Sequence, residues 1–471
     1  MLKQGSSPSV HKTPPGPRGL PIVGCLPQMM SNPIQFLSGA AREYGGVVRL
    51  GAVGPQQLFL ISDPECIKYI VLENAENYTK GSNFKDDTID LVFRNGLVSS
   101  EDPLHRRHRR MMQPALHRQQ ISTWVNLMIE HIDQMLKEWH DIGPGVTIDV
   151  TAHMLRMTQK VILKVLMDIE GEESAELTDA WNIIFAYHCA RLWSWFKLPV
   201  KVPTPKNREF LQAVRLIDDL INRKIQERQQ SGEEHNDILS ILLKARDESG
   251  EPMSQEQLRD EINSLIGAGF ETSGMSAVWT WYLLSQNPSA ESKLHEELAT
   301  VLGGRTPTAE DLPNLKYTRM VLEETMRLYP VVWINSRSNI ADDEIGGYHI
   351  PAGSLLILSP YVTHHLPAYW ENPNDYEPER FLQERSIGRP RHAYFPFGGG
   401  PRQCMGDIFA MVELQLLFAM AAQQFRLRLV PDCQIEIDSR LTLRPRNSVL
   451  MTLEPRSSFT NDSKVDQQLR V

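Results

Sequence analysis

The chain has 471 residues and a net formal charge of −9, which argues against nonspecific nucleic-acid binding and makes its local basic clusters informative. Its five cysteines, Cys25, Cys66, Cys189, Cys404 and Cys433, are scattered without CxxC pairs or regular spacing; this excludes zinc-ribbon and disulfide-framework readings and fits a reducing compartment. No linker-like shift in composition divides the length, so residues 1–471 read as one large domain.

The first ~24 residues are polar and then proline-rich. They lack both the apolar core of a signal peptide and the run of about 20 apolar residues that a membrane span needs. No integral membrane anchor and a cytoplasmic location are therefore expected. Pro33 to Tyr44 predicts a short helix, and Val47 to Leu50 and Gln57 to Ile61 predict strands of a small sheet.

From about Leu104 to Arg246 the apolar spacing is mostly helical, broken by a proline-containing passage at Leu198 to Pro205. The start of this region carries a basic helix, Leu104-His105-Arg106-Arg107-His108-Arg109-Arg110, on which His105 and Arg109 lie one turn apart. Such a run is usually a solvated face; in an acidic protein it can also attract an acidic partner.

The longest helix is predicted from Ser254, where Ser254 and Gln257 form a capping-box pattern, to about Gln286. Its middle holds Gly267, Gly269 and Gly274, each costing about 1 kcal/mol relative to alanine. Close approach of a flat ligand would explain them, and so would helix–helix packing on small residues. Strand signals return after Pro330 and around Arg444 to Leu453, and the tail from about 456 is polar. The expected class is mainly α with a minor β region, α+β.

The chemistry-bearing segment is Phe395-Pro396-Phe397-Gly398-Gly399-Gly400-Pro401-Arg402-Gln403-Cys404-Met405-Gly406, a glycine-rich turn before a strongly apolar helix-like run from Asp407 to about Ala422. Unpaired N–H groups and the helix dipole at that end favour an anionic sulfur, and a thiolate there can bind metal. Glycines let the backbone fold tightly around it. A lone cysteine can also be a buried, inert core residue.

The pattern Phe-x-x-Gly-x-Arg-x-Cys-x-Gly, met at Phe397, Gly400, Arg402, Cys404 and Gly406, resembles the haem-binding loop of the cytochrome P-450 family. The resemblance covers nearly the whole chain. It implies the family fold, with haem between a long central helix and the cysteine loop, and Cys404 as the proximal ligand of the iron of haem b. Phe397, Gly398, Arg402 and Gly406 would complete the loop around the cofactor. Ala268 to Thr272 resembles the oxygen-activation segment, which implies that Ala268 lies against the cofactor and that Glu271 and Thr272 supply protons.

Glu324-Thr325-Met326-Arg327 and Pro378-Glu379-Arg380-Phe381 resemble the two halves of the family's buried Glu324–Arg327–Arg380 network. His105, Arg109 and Arg337 match propionate-binding positions; many relatives have tryptophan where His105 stands. By the same likeness Phe93, Phe185, Tyr187, Trp193, Val332 and Trp333 are pocket candidates, in segments 84–97, 181–195, 266–272, 331–335 and 442–446.

The implied activity is insertion of one oxygen atom from O2, by hydroxylation or epoxidation, into an apolar organic substrate such as a fatty acid, terpenoid or polyketide. No reductase module fits in the remaining length, so electrons should come from a separate ferredoxin or flavodoxin with its NAD(P)H reductase. A monomer is expected. A peroxide-driven or isomerising haem-thiolate enzyme, or a non-catalytic sensor or carrier, are the alternatives; the acid–alcohol pair Glu271-Thr272 and the basic helix weigh against them. His364 and His365 lack a matching ligand set and read as structural.

Overall fold

The structure, a computed structural model, describes residues 12–20, 23–53, 56–81, 87–192 and 197–456. Trp193, part of the 84–97 segment, most of the proline-rich start and the tail beyond Arg456 lie outside the described residues. The chain is mainly helical with small sheets, and it divides into two compact units.

The first unit comprises residues 1–85, 333–373 and 389–403. Its centre is a five-stranded sheet in the order Val47–Val53, Gln56–Ile61, Leu355–Leu358, Asn335–Asn339, Tyr78–Thr79. The first two strands form an antiparallel pair whose register shifts between Arg49 and Gly51. The third runs parallel to the second, and all four of its residues, Leu-Leu-Ile-Leu, are buried, as an unbroken apolar run in a mid-sheet strand requires. Phe59, Ile61, Leu356 and Leu358 pack there with Ile67, Ile70 and Phe395. The helix Pro33–Tyr44 starts where predicted, because the Asn32 side chain accepts from the Gln35 N–H and Pro33 occupies a position that needs no hydrogen bond.

The second unit, residues 86–332, 374–388 and 404–471, is largely helical. Its longest element, the central helix Gln255–Gln286, begins at Ser254, whose hydroxyl accepts from the Gln257 N–H at 3.1 Å. It is buried over most of its 32 residues and packs chiefly on the helix Val150–Met167. The break at Leu198 to Pro205 separates the helices Gly171–Leu192 and Pro205–Ser231, the latter capped by Thr204. The C-terminal strand signal resolves into Leu450–Pro455, central in a three-stranded antiparallel sheet with Thr147–Asp149 and Phe425–Leu429, and a short ribbon of Ile437–Asp438 with Arg444–Pro445. Among the described residues, no helix is long and apolar enough to cross a membrane.

Candidate functional site

Cys404 stands just before the helix Asp407–Gln424, whose N-cap is Gly406. From Glu413 to Gln423 every residue of that helix is buried, so its start is held in place by the core. Burial pushes the Cys404 thiol up to about 11; the Gly406 N–H bond and Arg109 pull it down, and Asp407 adds to the push. For the free thiol, crowding thus opposes the stabilisation that the helix end gives an anionic sulfur. Yet Cys404 is the one exposed cysteine of the five. A bound metal cation would displace the proton.

In the first unit, the glycines of the same loop answer to local geometry. Gly398 and Gly400 have φ of 71° and 66°, the left-handed region where a Cβ is penalised. A Cβ on Gly400 would also collide with the Val71 carbonyl. Phe397 and Arg402 are half-buried, Arg402 ending the turn Gly400–Arg402. Arg337, on the strand Asn335–Asn339, donates to the Ser336 carbonyl at 2.7 Å. His364 accepts from the Phe395 N–H at 3.0 Å and His365 contacts the Tyr361 carbonyl at 2.7 Å, so both rings brace the fold.

On the central helix, Ala268 is exposed and Thr272 half-buried, while Ile262, Ile266, Phe270 and the segment from Ser273 to Trp281 are buried. One stripe of small residues is thus left open in an otherwise packed helix. Its glycines mainly serve packing. A Cβ at Gly274 would stand 2.9 Å from both Leu155 and Thr158, and one at Gly269 3.0 Å from Ile162, all on Val150–Met167. Gly267 instead clears Phe93 and Trp181, at 2.7 and 2.9 Å.

The Thr272 hydroxyl donates to the Ala268 carbonyl at 2.9 Å, leaving its lone pairs able to accept. Glu271 is buried. Its carboxylate accepts from Thr442 Oγ1 at 3.2 Å and from Arg444 Nη1 at 3.3 Å. Burial raises its pKa, and Arg444 and Thr442 oppose the rise.

Glu324, Arg327 and Arg380 are brought together with side chains at most 3 % exposed. Arg327 Nε and Nη2 donate to the two Glu324 oxygens at 2.7 and 2.8 Å, and Nη2 also to the Asp375 carbonyl at 3.0 Å. The Glu377 N–H and Arg380 Nε add donors to Glu324 Oε1 at 2.9 and 3.3 Å. Four donors thus converge on that carboxylate, three of them on Oε1.

The basic helix is Leu104–Met112. His105 is buried, with Nδ1 3.4 Å from Asp102. Burial lowers the pKa of Arg109 and electrostatic interaction with Cys404 and Asp407 opposes the fall, so Arg109 lies within electrostatic reach of the cysteine. Arg106, Arg107 and Arg110 pair with Asp102 (3.3 Å), Asp247 (2.8 Å) and Glu248. Their surface is therefore less positive than the sequence run implies.

Among the pocket candidates, half-buried Phe93 lies 6.0 Å from Trp181 between ring centres, and Trp181 6.1 Å from Phe270. Phe185 is half-buried. Tyr187 stacks on Phe210 at 4.3 Å and donates to Asn207 at 2.7 Å, a brace between helices. Val332 is 39 % exposed, whereas Trp333 is fully buried.

Two residues escaped the sequence reading. Arg444 lay inside a named pocket segment, but nothing in its spacing marks it as a partner of Glu271. Glu413, fully buried, hydrogen-bonds Ser273 of the central helix, and burial pushes it up to about 8. A lone acid in an apolar helical run was the available signal.

The donor set fits a haem: one approachable sulfur within electrostatic reach of an arginine, and a stripe of small residues open on the central helix. The comparisons agree. Residues 14–452 match the family model for Cytochrome P-450. The chain is 35 % identical to cyclooctatin synthase of Streptomyces melanosporofaciens, over 94 % of each protein. It is 32 % identical to cyclooctat-9-en-7-ol 5-monooxygenase of the same organism, over 88 % of this chain and 89 % of the relative. It is also 32 % identical to pentalenene oxygenase of Streptomyces avermitilis, over 89 % and 92 %. With the cysteine loop, the open helix stripe and near full-length likeness all pointing the same way, this chain belongs to the cytochrome P-450 family and is a haem-thiolate monooxygenase.

Proposed function

We propose that the chain oxygenates a cyclic terpenoid hydrocarbon or the alcohol derived from one, and that it holds haem b through Cys404. The observation that carries the cofactor reading is the exposed Cys404 thiol, set at the head of a core helix within electrostatic reach of Arg109. The substrate class rests on the relatives' names, which denote an unsaturated cyclic hydrocarbon, pentalenene, and an unsaturated alcohol, cyclooctat-9-en-7-ol. Half-buried Phe93, backed by the buried rings of Trp181 and Phe270, is proposed to face such a substrate, which offers bulk and few polar handles.

Haem supplies the electron-transfer and oxygen-activating chemistry when bound. The protein's part is to hold and protonate. His105, Arg109, Arg337 and Arg402 are the proposed partners of the propionates, with Ala268, Phe397, Gly398 and Gly406 against the ring. Thr272 Oγ1, its proton engaged by the Ala268 carbonyl, is proposed to accept a hydrogen bond from a water and so orient it. Glu271 is the proposed proton donor of that relay. Glu324, Arg327 and Arg380 keep a structural role; Phe185, Tyr187, Val332 and Trp333 remain pocket candidates.

Electrons are proposed to come from a separate ferredoxin or flavodoxin with its reductase. The 471 residues are proposed to act as one monomeric functional domain, because the chain passes repeatedly between its two units. Five free cysteines support a cytoplasmic setting.

The test is to titrate the haem-loaded protein with cyclic terpene hydrocarbons, fatty acids and macrolides, and to follow the haem spin state. Any compound that shifts it is then turned over with ferredoxin, reductase and isotopically labelled dioxygen. A shift with the cyclic hydrocarbons and label in their product are expected; a response to fatty acids alone would overturn the substrate class. Cys404→Ala should lose the thiolate-type band of the reduced carbon-monoxide spectrum, and its retention would move the ligand elsewhere.

A further inference from the structure

The ribbon Ile437–Asp438 and Arg444–Pro445 sets Asp438 directly across from Arg444. Its turn is fixed to the helical body by backbone: the Leu443 carbonyl accepts from Trp279 Nε1 at 2.9 Å, and the Leu443 N–H donates to the Val331 carbonyl at 2.8 Å. From that anchored turn, Thr442 and Arg444 reach Glu271 at 3.2 and 3.3 Å. These lengths are at the long end for hydrogen bonds, so the carboxylate is held loosely.

Asp438 is engaged chiefly by Arg440, whose Nε and Nη2 lie 2.9 and 2.6 Å from its two oxygens, whereas Arg444 Nε is 3.7 Å away. Arg444 thus directs much of its charge at Glu271. The ionisable groups around Glu271 are Arg444 and Asp438 on the ribbon, Arg440 at its turn and Cys189 on the helix Gly171–Leu192.

We infer that Arg444 is a positioning residue for Glu271, holding the carboxyl toward the ribbon and setting when it carries a proton, with Asp438 and Arg440 modulating that hold. The inference rests on the reading of Glu271 as the relay acid. When Glu271 gives up its proton it becomes a carboxylate stabilised by Arg444. It takes a replacement from water, which reaches the partly exposed Arg444 side chain. Arg444 acts by fixing the charge and direction of the donor, without contacting the reacting atoms.

The experiment uses the haem-loaded full chain in its resting ferric state. The protonated Glu271 carbonyl stretch is identified in infrared difference spectra by its loss in Glu271→Gln, and is titrated against pH. Arg444→Gln removes a cation and should raise the midpoint by about one unit or more; Asp438→Asn removes an anion and should lower it. Arg444→Lys should restore much of the wild-type midpoint. The pH optimum of product formed per NAD(P)H consumed should move in the same direction as each midpoint.

An unchanged midpoint in Arg444→Gln would overturn the inference. A shift in the same direction for Arg444→Gln and Asp438→Asn would also overturn it, since a merely loosened ribbon gives that result. Should Arg444→Gln not fold, the downward shift in Asp438→Asn decides. Full coupling in Glu271→Gln would instead remove Glu271 from the relay, an outcome distinct from the infrared result.

Discussion

Glu324 and Glu271 are both buried carboxylates facing arginines in the same unit, and they are held in opposite ways. Glu324 receives two bonds from Arg327, one from Arg380 and one from the Glu377 backbone, all within a region closed to water. Glu271 receives two long bonds, and its arginine is about one-third exposed. Saturating a buried charge with donors makes it immobile and costly to disturb. A buried acid that must trade protons needs spare capacity and a partner that water can reach. If Glu271 is the relay acid proposed above, the number of donors, more than burial or charge, separates it from Glu324.

The strongest way to break this comparison is at the saturated end. Arg327→Ala should leave the Glu324 charge buried without its main partner and cost about 3–5 kcal/mol. Chemical denaturation and haem content should show little folded, loaded protein; a stable, fully loaded variant would mean that the network is not what holds Glu324.

Glu413 sharpens the comparison, because it is buried with no charged partner among the described residues. Burial pushes its carboxyl up to about 8 in the fold, against 4.5 for the free group. Below about 4.5 folded and unfolded chains both carry the proton. Between 4.5 and about 8 the unfolded chain has released it and the folded chain has not, so stability falls as pH rises through that window and levels off above it. At about 1.4 kcal/mol per unit this amounts to a few kcal/mol. Glu413→Gln should flatten that slope in denaturation series from pH 4.5 to 8, and an unaltered slope would show that Glu413 ionises freely.

The smallest effect belongs to the surface pairs. Replacing Arg106 and Arg110 together by glutamine leaves Asp102 and Glu248 uncompensated. Reduction by an acidic ferredoxin should slow about two- to tenfold at low salt and recover as screening sets in. Rates insensitive to both substitution and ionic strength would place docking on another face.

Much of this was legible in the sequence because it is local. The helix Pro33–Tyr44, the Ser254 cap and the cysteine loop are written in neighbouring residues whose spacing dictates the geometry. Glu324 and Arg327 are three apart and had to share a helix face. What stayed hidden depends on contacts between distant segments. Arg444 meets Glu271 across 173 positions of chain. The acids that neutralise the basic helix include Asp247 and Glu248, more than one hundred residues downstream. At Cys404, too, the helix end is visible in sequence, and the crowding that opposes it in the free thiol is not.

The three glycines of the central helix carry a practical lesson for anyone building variant libraries to alter substrate range. Side chains added at 269 or 274 would wedge apart two core helices, spending the library on misfolded clones. Position 267 faces the rings of Phe93 and the buried Trp181, at 2.7 and 2.9 Å from an added Cβ, so it takes a side chain only where residue 93 is made smaller. Diversity placed at 267 and 93, with 269 and 274 frozen, should concentrate the surviving clones among those with altered selectivity.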